Sequence, residues 1–202
     1  AILNMDDPWV RWMANRTKAD LFSYGIIEGA DLTASGIQPL GLEGIACTLT
    51  YQGKTHLVRS PLMGEFSAYT ILRAVAAALV MGVDWEQIIK ALSVSNVDIR
   101  MRPFTLPNGV TLLDDTYNAS PASTVAALKL LKGLQGRRVA ILGDMLELGL
   151  YEEEGHQSVG AFAADSADVL ILVGERTKTT AKAALEKGFP EERLQWYPDS
   201  EK

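Results

Sequence analysis

The chain has 202 residues and a formal net charge of −6, which gives no electrostatic reason to expect binding to nucleic acid or to an anionic membrane surface. Apolar residues make up 48% of the chain and charged residues 22%, a composition typical of globular proteins and not of disordered or fibrous ones. Cys47 is the only cysteine, which excludes an internal disulfide and fits a cytoplasmic protein.

The first half of the chain mixes short elements of both kinds. Asp7 followed by Pro8 predicts the start of a helix, because proline suits the first turn. Gln52-Gly53-Lys54 separates two strand-like runs and predicts a hairpin. An apolar run around Arg73 is too short to span a bilayer, so it predicts a buried helix. The predicted strands are residues 1–3, 20–24, 45–51 and 55–58, and the predicted helices are residues 9–14, 66–81 and 85–92.

The second half alternates strands and helices. Its predicted strands are residues 110–113, 138–142, 169–173 and 194–197, and its predicted helices are residues 121–131, 152–164 and 178–187. Apolar strands that are each followed by a helix indicate a parallel sheet covered on both faces. We therefore expect a Rossmann-like, mostly parallel α/β domain at residues 98–202. A partial α/β domain at residues 1–97 precedes it, and the linker is expected within residues 93–102.

Open parallel sheets bind ligands beyond the carboxyl ends of their strands, so the loop after the first of these strands is a place to expect chemistry. It opens with Asp114 and Asp115, which strand alternation points in opposite directions, so that one can face a ligand while the other anchors the loop. Alternatively, an aspartate or Thr116 only caps the next helix. Tyr117 offers a stacking ring and Asn118 a bidentate amide, and together they favour a binding site.

The loop after the second strand carries Asp144 and Glu147 between two glycines, and the loop after the third carries Gly174-Glu175-Arg176. A plain turn is the alternative explanation of a Gly-Asp pair at a strand end. The acidic run at residues 152–154 is interpreted as the first turn of a helix, where carboxylates complement the helix dipole. His156 is interpreted as a surface or packing side chain and not as a base.

Arg100 and Arg102 precede the first predicted strand of the second domain. Two arginines at a domain junction usually form ion pairs, but an arginine there could also reach a phosphate held by the neighbouring domain. The sequence contains neither a Gly-x-x-x-x-Gly-Lys-Ser/Thr motif nor a Gly-x-Gly-x-x-Gly motif, so a phosphate-cradling loop of either kind is absent from it.

Two long motifs, in this order and at this spacing, resemble the C-terminal domain of the Mur ligase family, in its D-alanyl-D-alanine-adding branch. The first is Asp-Asp-Thr-Tyr-Asn-Ala-Ser-Pro at residues 114–121, and the second is Arg-Val-Ala-Ile-Leu-Gly-Asp-Met-Leu-Glu-Leu-Gly at residues 138–149. Glu-Gly-His at residues 154–156 extends the match. Upstream, Asn-Met-Asp-Asp-Pro at residues 4–8 is similar to a segment of the family's central ATPase domain. The resemblance implies that the chain is a piece of a longer ligase, with residues 1–97 a remnant of that central domain.

The resemblance also implies an ATP-dependent ligase of peptidoglycan synthesis. Its cofactors would be ATP and Mg²⁺, and its substrates UDP-N-acetylmuramoyl-tripeptide and D-alanyl-D-alanine. In this family the γ-phosphate of ATP passes to the substrate carboxylate, and the incoming amine attacks the resulting acyl-phosphate. As a fragment, the chain is expected to be monomeric and inactive alone, with most contacts to Mg²⁺ made by residues that it lacks.

The same resemblance assigns roles to single residues. Arg100 is expected to act as the catalytic residue that reaches the γ-phosphate, and Asp115 to hold the ribose hydroxyls. Ser67 and Thr70 stand where the family has two asparagines, one of them toward adenine, so the base contact is expected to differ. The expected cofactor-binding residues are Asp115, Tyr117, Asn118 and Thr70, and the expected substrate-binding residues are Asn118, Ser120, Asp144 and Glu147.

Two alternative functions stay open. A sister Mur ligase or a folylpolyglutamate ligase commonly carries a histidine in the first motif, so Asn118 argues against both. A non-catalytic interaction domain derived from the ligase is motivated by the missing phosphate loop and by the two replaced asparagines.

Overall fold

The computed structural model describes residues 1–94 and 101–200, and the chain divides into two units, Ala1–Val97 and Asp98–Lys202. Each unit has its own cluster of buried apolar side chains. Within the described residues, no helix has the length and the apolar content that crossing a membrane requires.

The first unit is built on a sheet of five described strands. In chain order its elements are β1 (Ile2–Asn4), α1 (Pro8–Ala14), β2 (Phe22–Gly25), β3 (Leu32–Pro39), β4 (Ile45–Tyr51), β5 (Lys54–Ser60), α2 (Ser67–Val80) and α3 (Trp85–Ser93). The strands lie side by side in chain order; β1, β2 and β3 are parallel, whereas β4 is antiparallel to both β3 and β5. The predicted hairpin is confirmed as β4 and β5, and each predicted helix is confirmed to within one residue at either end.

β3 is a strand that the sequence did not predict. Leu32 and Ala34 are buried on alternate positions, as a half-buried strand requires. The register then shifts between Ser35 and Gln38, and Gly36 has a φ of 57°. This bulge breaks the two-residue period, which is the signal that identifies a strand in a sequence.

α2 buries only one of its faces. Its buried residues recur at the spacing of a single helical face and are Ser67, Ala68, Ile71, Leu72, Val75 and Ala76. In contrast, Val80 is 54% exposed, and Met81, just beyond the helix, is 80% exposed. The prediction of a buried helix is therefore correct for one face and wrong for the other.

Asp6 connects the end of β1 with β2 and α2. Its carboxylate accepts hydrogen bonds from the backbone N–H groups of Ile26 (2.6 Å) and Ile27 (3.2 Å) and from the hydroxyl of Tyr69 (2.8 Å). Gly25 leaves room for this carboxylate, since a Cβ there would lie 2.7 Å from Asp6 Oδ1. Burial, and then the hydrogen bond to Asp6 and its negative charge, raise the pKa of Tyr69 to about 12.

Tyr69 is therefore expected to stay protonated well above pH 10. Because folding raises its pKa, the contact between Tyr69 and Asp6 contributes stability that is fully present below pH 10.0 and is lost as the pH rises towards about 12. An ultraviolet titration of tyrosinate absorbance checks this, since Tyr69→Phe should remove the ionisation step at highest pH. Tyr117→Phe, at an exposed position, is the control and should leave that step in place. Loss of a step at pH 10 in Tyr69→Phe would contradict the expectation.

The second unit combines a parallel sheet with a separate two-stranded ribbon. Its elements are β6 (Arg102–Thr105), β7 (Thr111–Asp114), α4 (Pro121–Gly133), β8 (Val139–Gly143), α5 (Glu152–Ala164), β9 (Val169–Val173), α6 (Thr177–Glu186) and β10 (Leu194–Tyr197). The described strands β10, β9 and β8 lie in that order and are all parallel. Val159 of α5, Leu170 of β9 and Ala184 of α6 belong to one buried cluster. The predicted α/β fold with a parallel sheet is confirmed.

The prediction that residues 110–113 form the first strand of this parallel sheet is wrong. In the part of the chain that the structure describes, β7 pairs with β6, and the pairing is antiparallel. Asn108-Gly109 lies in the turn between them, where Gly109 has a φ of 81° and the Leu106 N–H donates to the Val110 carbonyl at 2.8 Å. An Asn-Gly turn favours a hairpin, so β7 pairs with the strand just before it. β6 also begins inside the segment predicted as a linker.

Arg138 and Asp168 join β8 and β9 at their amino ends. The carboxylate of Asp168 accepts from the Arg138 backbone N–H at 2.8 Å and from its Nη2 at 2.9 Å. In return, the Asp168 N–H donates to the Arg138 carbonyl at 2.8 Å. The side-chain and backbone hydrogen bonds from Arg138 lower the pKa of Asp168 to about 2. This ion pair fixes the edge of the sheet opposite the carboxyl ends, from which the predicted site loops leave.

Candidate functional site

Asp144 follows β8 at the carboxyl edge of the parallel sheet, as the sequence predicts. Its Oδ1 accepts from the backbone N–H of Thr177 at 3.0 Å, and its Oδ2 lies 3.6 Å from Arg176 Nη1. Gly174, just after β9, leaves room for the carboxylate, since a Cβ there would lie 2.4 Å from Asp144 Oδ1. Asp144 therefore caps α6, because its carboxylate satisfies an N–H group that has no partner inside the helix.

Arg176 lies between two carboxylates at the same edge. Its Nε donates to Glu152 Oε2 at 3.0 Å, and its Nη1 forms the ion pair with Asp144. The hydrogen bond to Glu152 and the negative charge of Glu152 are the main causes that raise the pKa of the Arg176 guanidinium. The side chain is 44% exposed, so part of the guanidinium faces solvent. No role was assigned to Arg176 from the sequence, although its place just after the end of a predicted strand could have indicated a site residue.

His156 is buried in α5 and reaches the loop after β8. The residue is 1% exposed. Nε2 lies 3.2 Å from the Met145 backbone nitrogen, and Nδ1 lies 2.9 Å from the Glu152 carbonyl oxygen. Of the two roles considered for this residue, the structure shows packing and not surface exposure.

Glu147 lies in the same loop as Asp144, but its surroundings differ. It is exposed, and its φ of 62° falls in the left-handed region, which few residues other than glycine adopt. Whereas the carboxylate of Asp144 is engaged by α6 and Arg176, that of Glu147 is open to a ligand.

Asp114 shapes the loop after β7. Its Oδ1 accepts from the backbone N–H of Thr116 at 3.0 Å and from the Thr116 hydroxyl at 2.6 Å. Asp114 thus anchors the loop, as predicted for one of the two aspartates, and the neighbouring Asp115 is half-buried. The alternative in which an aspartate or Thr116 caps the next helix is wrong, because the N-cap of α4 is Ser120.

Ser120 begins α4 through a capping box. Its hydroxyl accepts from the Ser123 N–H at 3.3 Å, and its own N–H donates to the Ser123 hydroxyl at 3.0 Å. The predicted substrate-binding hydroxyl therefore already stabilises a helix start. By contrast, Tyr117 is 88% exposed, and Asn118 is exposed with its Oδ1 accepting from the Ala119 N–H at 2.9 Å.

Packing of α4 against α5 holds the two motif-bearing loops together. A Cβ on Gly155 would lie 2.8 Å from Pro121 Cγ and 3.1 Å from Leu148 Cδ1, so the backbone of α5 approaches both residues closely. The Thr124 hydroxyl lies 3.8 Å from Met145 Sδ, within hydrogen-bond distance of a sulfur acceptor. The structure therefore brings residues 114–121 and residues 143–149 to one region of the second unit.

Comparison with known proteins agrees with these motifs. Residues 99–202 match the family described as Mur ligase, glutamate ligase domain. The chain belongs to the Mur ligase family. The resemblance stated from the two motifs is confirmed.

The relatives of this Mur ligase chain are considerably longer than the chain. It is 37% identical over 189 residues to the UDP-N-acetylmuramoyl-tripeptide–D-alanyl-D-alanine ligase of Synechocystis. The aligned region covers 91% of this chain and 39% of that protein. The enzyme of the same name from Escherichia coli is 32% identical over 189 residues, and the aligned region covers 91% of this chain and 41% of that enzyme. A crystal structure of MurF from Acinetobacter baumannii superposes with a TM-score of 0.84 at 28% identity, covering 97% of this chain and 42% of that one. The chain therefore spans less than half the length of each.

The predicted cofactor-binding residue Thr70 stands outside these two motifs in the sequence of this Mur ligase chain. Thr70 belongs to the first unit and is exposed in the first turn of α2. Ser67 beside it is buried and donates its hydroxyl to the Met63 carbonyl at 2.6 Å, so only Thr70 is open to a ligand. The predicted catalytic Arg100 lies outside the described residues. Within residues 1–94 and 101–200, no group of three or more His, Cys, Asp or Glu side chains is placed to hold a metal ion.

Proposed function

We propose that this chain is part of an ATP-dependent ligase that adds D-alanyl-D-alanine to UDP-N-acetylmuramoyl-tripeptide. The observation that carries the proposal is the similarity to the Synechocystis ligase of that name, which extends over 91% of the chain. In the proposed reaction, the γ-phosphate of ATP passes to the tripeptide carboxylate and ADP leaves. The dipeptide amine then attacks the acyl-phosphate carbon, phosphate leaves, and an amide bond forms. Such chemistry depends on positioning and on charge neutralisation.

The loops at the carboxyl edge of the second unit are proposed to receive the dipeptide. Asn118 is exposed there and offers both hydrogen-bond donors and an acceptor, and Glu147 offers an exposed carboxylate that suits an ammonium group. Asp144 and Ser120 are proposed mainly to support these loops, because their polar groups already form hydrogen bonds at the starts of α6 and α4.

The residues proposed to contact the nucleotide are those that the family resemblance assigns to it. Asp115 would hold the ribose hydroxyls, Tyr117 and Asn118 would lie at the edge of the nucleotide, and Thr70 would face the adenine. Arg100 is proposed to neutralise charge on the γ-phosphate, which is the task of an arginine in phosphoryl transfer. Mg²⁺ would accompany the phosphates, since this ion is usually bound by one or two carboxylates together with substrate phosphates.

Structures of the same fold support ATP as the nucleotide. MurF from Thermotoga maritima has a TM-score of 0.72 at 20% identity and was solved in complex with ADP. The folylpolyglutamate synthase of Mycobacterium tuberculosis, with a TM-score of 0.66 at 18% identity, was also solved with ADP.

The remaining parts of the proposal follow from the family. Residues 1–97 are assigned to a remnant of the central ATP-binding domain, and residues 98–202 to the C-terminal domain. The ligase is proposed to act as a monomer in the cytoplasm, in peptidoglycan synthesis and hence in cell shape and division.

A chimaera tests the proposed function. The segment of the Synechocystis ligase that aligns with this chain, 189 residues long, is replaced by this chain, and ADP release is measured with different amines. We expect ADP release that requires both UDP-N-acetylmuramoyl-tripeptide and D-alanyl-D-alanine, and none from the chain alone.

Two results of the chimaera assay would contradict the proposal. A preference for another amine would favour a sister ligase. A folded chimaera that binds neither ATP nor dipeptide would favour a non-catalytic interaction domain. The unmodified Synechocystis enzyme, assayed beside it, is the control for the activity of the shared parts.

A further inference from the structure

The loop at residues 143–149 is attached to α5 through one buried ring. The Met145 backbone N–H points to His156 Nε2 at 3.2 Å, and His156 is 1% exposed. Met145 is 2% exposed, and its sulfur accepts from the Thr124 hydroxyl at 3.8 Å. Met145 is thus held at its backbone by α5 and at its side chain by α4.

These contacts determine which ring nitrogen of His156 carries the proton. A backbone N–H only donates, so Nε2 must accept from Met145 and cannot carry a hydrogen. Nδ1, 2.9 Å from the Glu152 carbonyl oxygen, must then be the protonated nitrogen, because a carbonyl only accepts. The arrangement therefore requires a neutral imidazole with its hydrogen on Nδ1.

Two residues of the loop, Leu146 and Glu147, follow this anchor. Leu146 is 56% exposed, and Glu147 adopts a φ of 62°. A left-handed backbone is unfavourable at a residue other than glycine, and it persists only where the surroundings enforce it. The hydrogen bond between Met145 and His156 lies two residues before this strained position, so it is well placed to enforce it.

We propose that His156 is a positioning residue that sets the direction of Glu147 towards the incoming amine. The identity of that amine, D-alanyl-D-alanine, rests on the proposed function. The role of His156 in holding the loop at residues 143–149 in one conformation does not depend on the proposed function. His156 touches no reacting atom in this account; it acts through Met145 and the backbone of the loop.

Two variants distinguish the roles of the two hydrogen bonds that the His156 ring forms. The amide oxygen of His156→Gln can occupy the position of Nε2 and accept from the Met145 N–H. The shorter His156→Asn reaches only as far as Nδ1, so it can keep the bond to the Glu152 carbonyl but loses the bond to Met145. A residue with only a packing role would lose more stability in His156→Asn, the smaller side chain, but without a selective change in hydrogen exchange at Met145.

The first test uses the chain itself. Long-range ¹⁵N NMR of the His156 ring should show hydrogen on Nδ1 and none on Nε2. Amide hydrogen exchange at Met145 should be faster in His156→Asn by about fivefold to tenfold, the size of one lost hydrogen bond, and close to the parent rate in His156→Gln. The opposite tautomer, or equal exchange in both variants, would overturn the proposal.

The second test uses the active chimaera with the same variants. We expect His156→Asn to raise the KM for D-alanyl-D-alanine about fivefold to tenfold while kcat changes less, and His156→Gln to restore the KM. An unchanged KM in His156→Asn would overturn the positioning role. An inactive chimaera that retains His156 would count against the proposed function alone, because the exchange and tautomer measurements decide the order of the loop without it.

Discussion

Replacing Gly160 by alanine is expected to lower the free energy of unfolding of the second unit by about 2–3 kcal/mol, at the upper end of the range for overpacked sites. α5 and α6 meet at this glycine. A Cβ there would lie 2.2 Å from the Thr180 carbonyl oxygen and 3.0 Å from the Ala183 Cβ. The Thr180 oxygen belongs to the backbone of α6, so no side-chain rotation relieves the contact and the helices must move apart. That movement would expose Ala184, which is fully buried.

The control for this prediction is Gly133→Ala. Gly133 is the last residue of α4, and a Cβ there would have no atom within 4 Å. Alanine is a better helix former than glycine, so this variant should be neutral or stabilising by up to roughly 1 kcal/mol. Urea unfolding, monitored through the NMR amide signals of β9, measures the free energy of unfolding of both variants. Equal midpoints for the two variants would show that α5 and α6 can separate at no cost.

Replacing Asp144 by alanine is expected to lower the free energy of unfolding by about 1–2 kcal/mol, the usual cost of losing a helix cap. The Thr177 N–H would lose its acceptor, and Arg176 would keep Glu152 but lose its second carboxylate. Amide exchange in the first turn of α6 should rise before exchange elsewhere in that helix, because the cap is local. The measurement is a urea titration combined with hydrogen exchange.

Glu147→Gln is the matched control for Asp144→Ala. Glu147 is exposed in the same loop, so its stability change should stay within about 0.5 kcal/mol. In the chimaera, however, Glu147→Gln should weaken the use of D-alanyl-D-alanine if its charge receives the amine. Unchanged stability in Asp144→Ala would show that this carboxylate is not a structural cap.

The regular elements of the second unit were predictable because their signals are local. The structure places α5 at Glu152–Ala164, β9 at Val169–Val173 and β10 at Leu194–Tyr197, and the sequence predicts all three with the same bounds. Each is a short periodic or apolar run closed by polar residues or glycine. The elements predicted incorrectly lack such a signal or pair in an unexpected way: the bulge in β3 breaks its period, and β7 pairs with β6.

For the candidate site, the sequence located the loops but not the partners of their side chains. It identified Asp144 as a strand-end carboxylate, but it could not show that the oxygens point into the start of α6. It treated Glu152 as part of a solvated first turn, whereas the side chain also pairs with Arg176, 24 residues further along the chain. Hydrogen bonds over such separations are set by how the helices and strands pack.

The amino-acid sequence by itself determined the α/β class, the positions of the strand-end loops and membership of the Mur ligase family, because these depend on local periodicity and on contiguous motifs. Only the tertiary structure decided what each polar side chain does. Asp144 caps a helix, Ser120 closes a capping box, and His156 holds the loop that carries Glu147. Whether a buried donor or acceptor is satisfied depends on atoms from distant segments, and those meet only after the chain has folded.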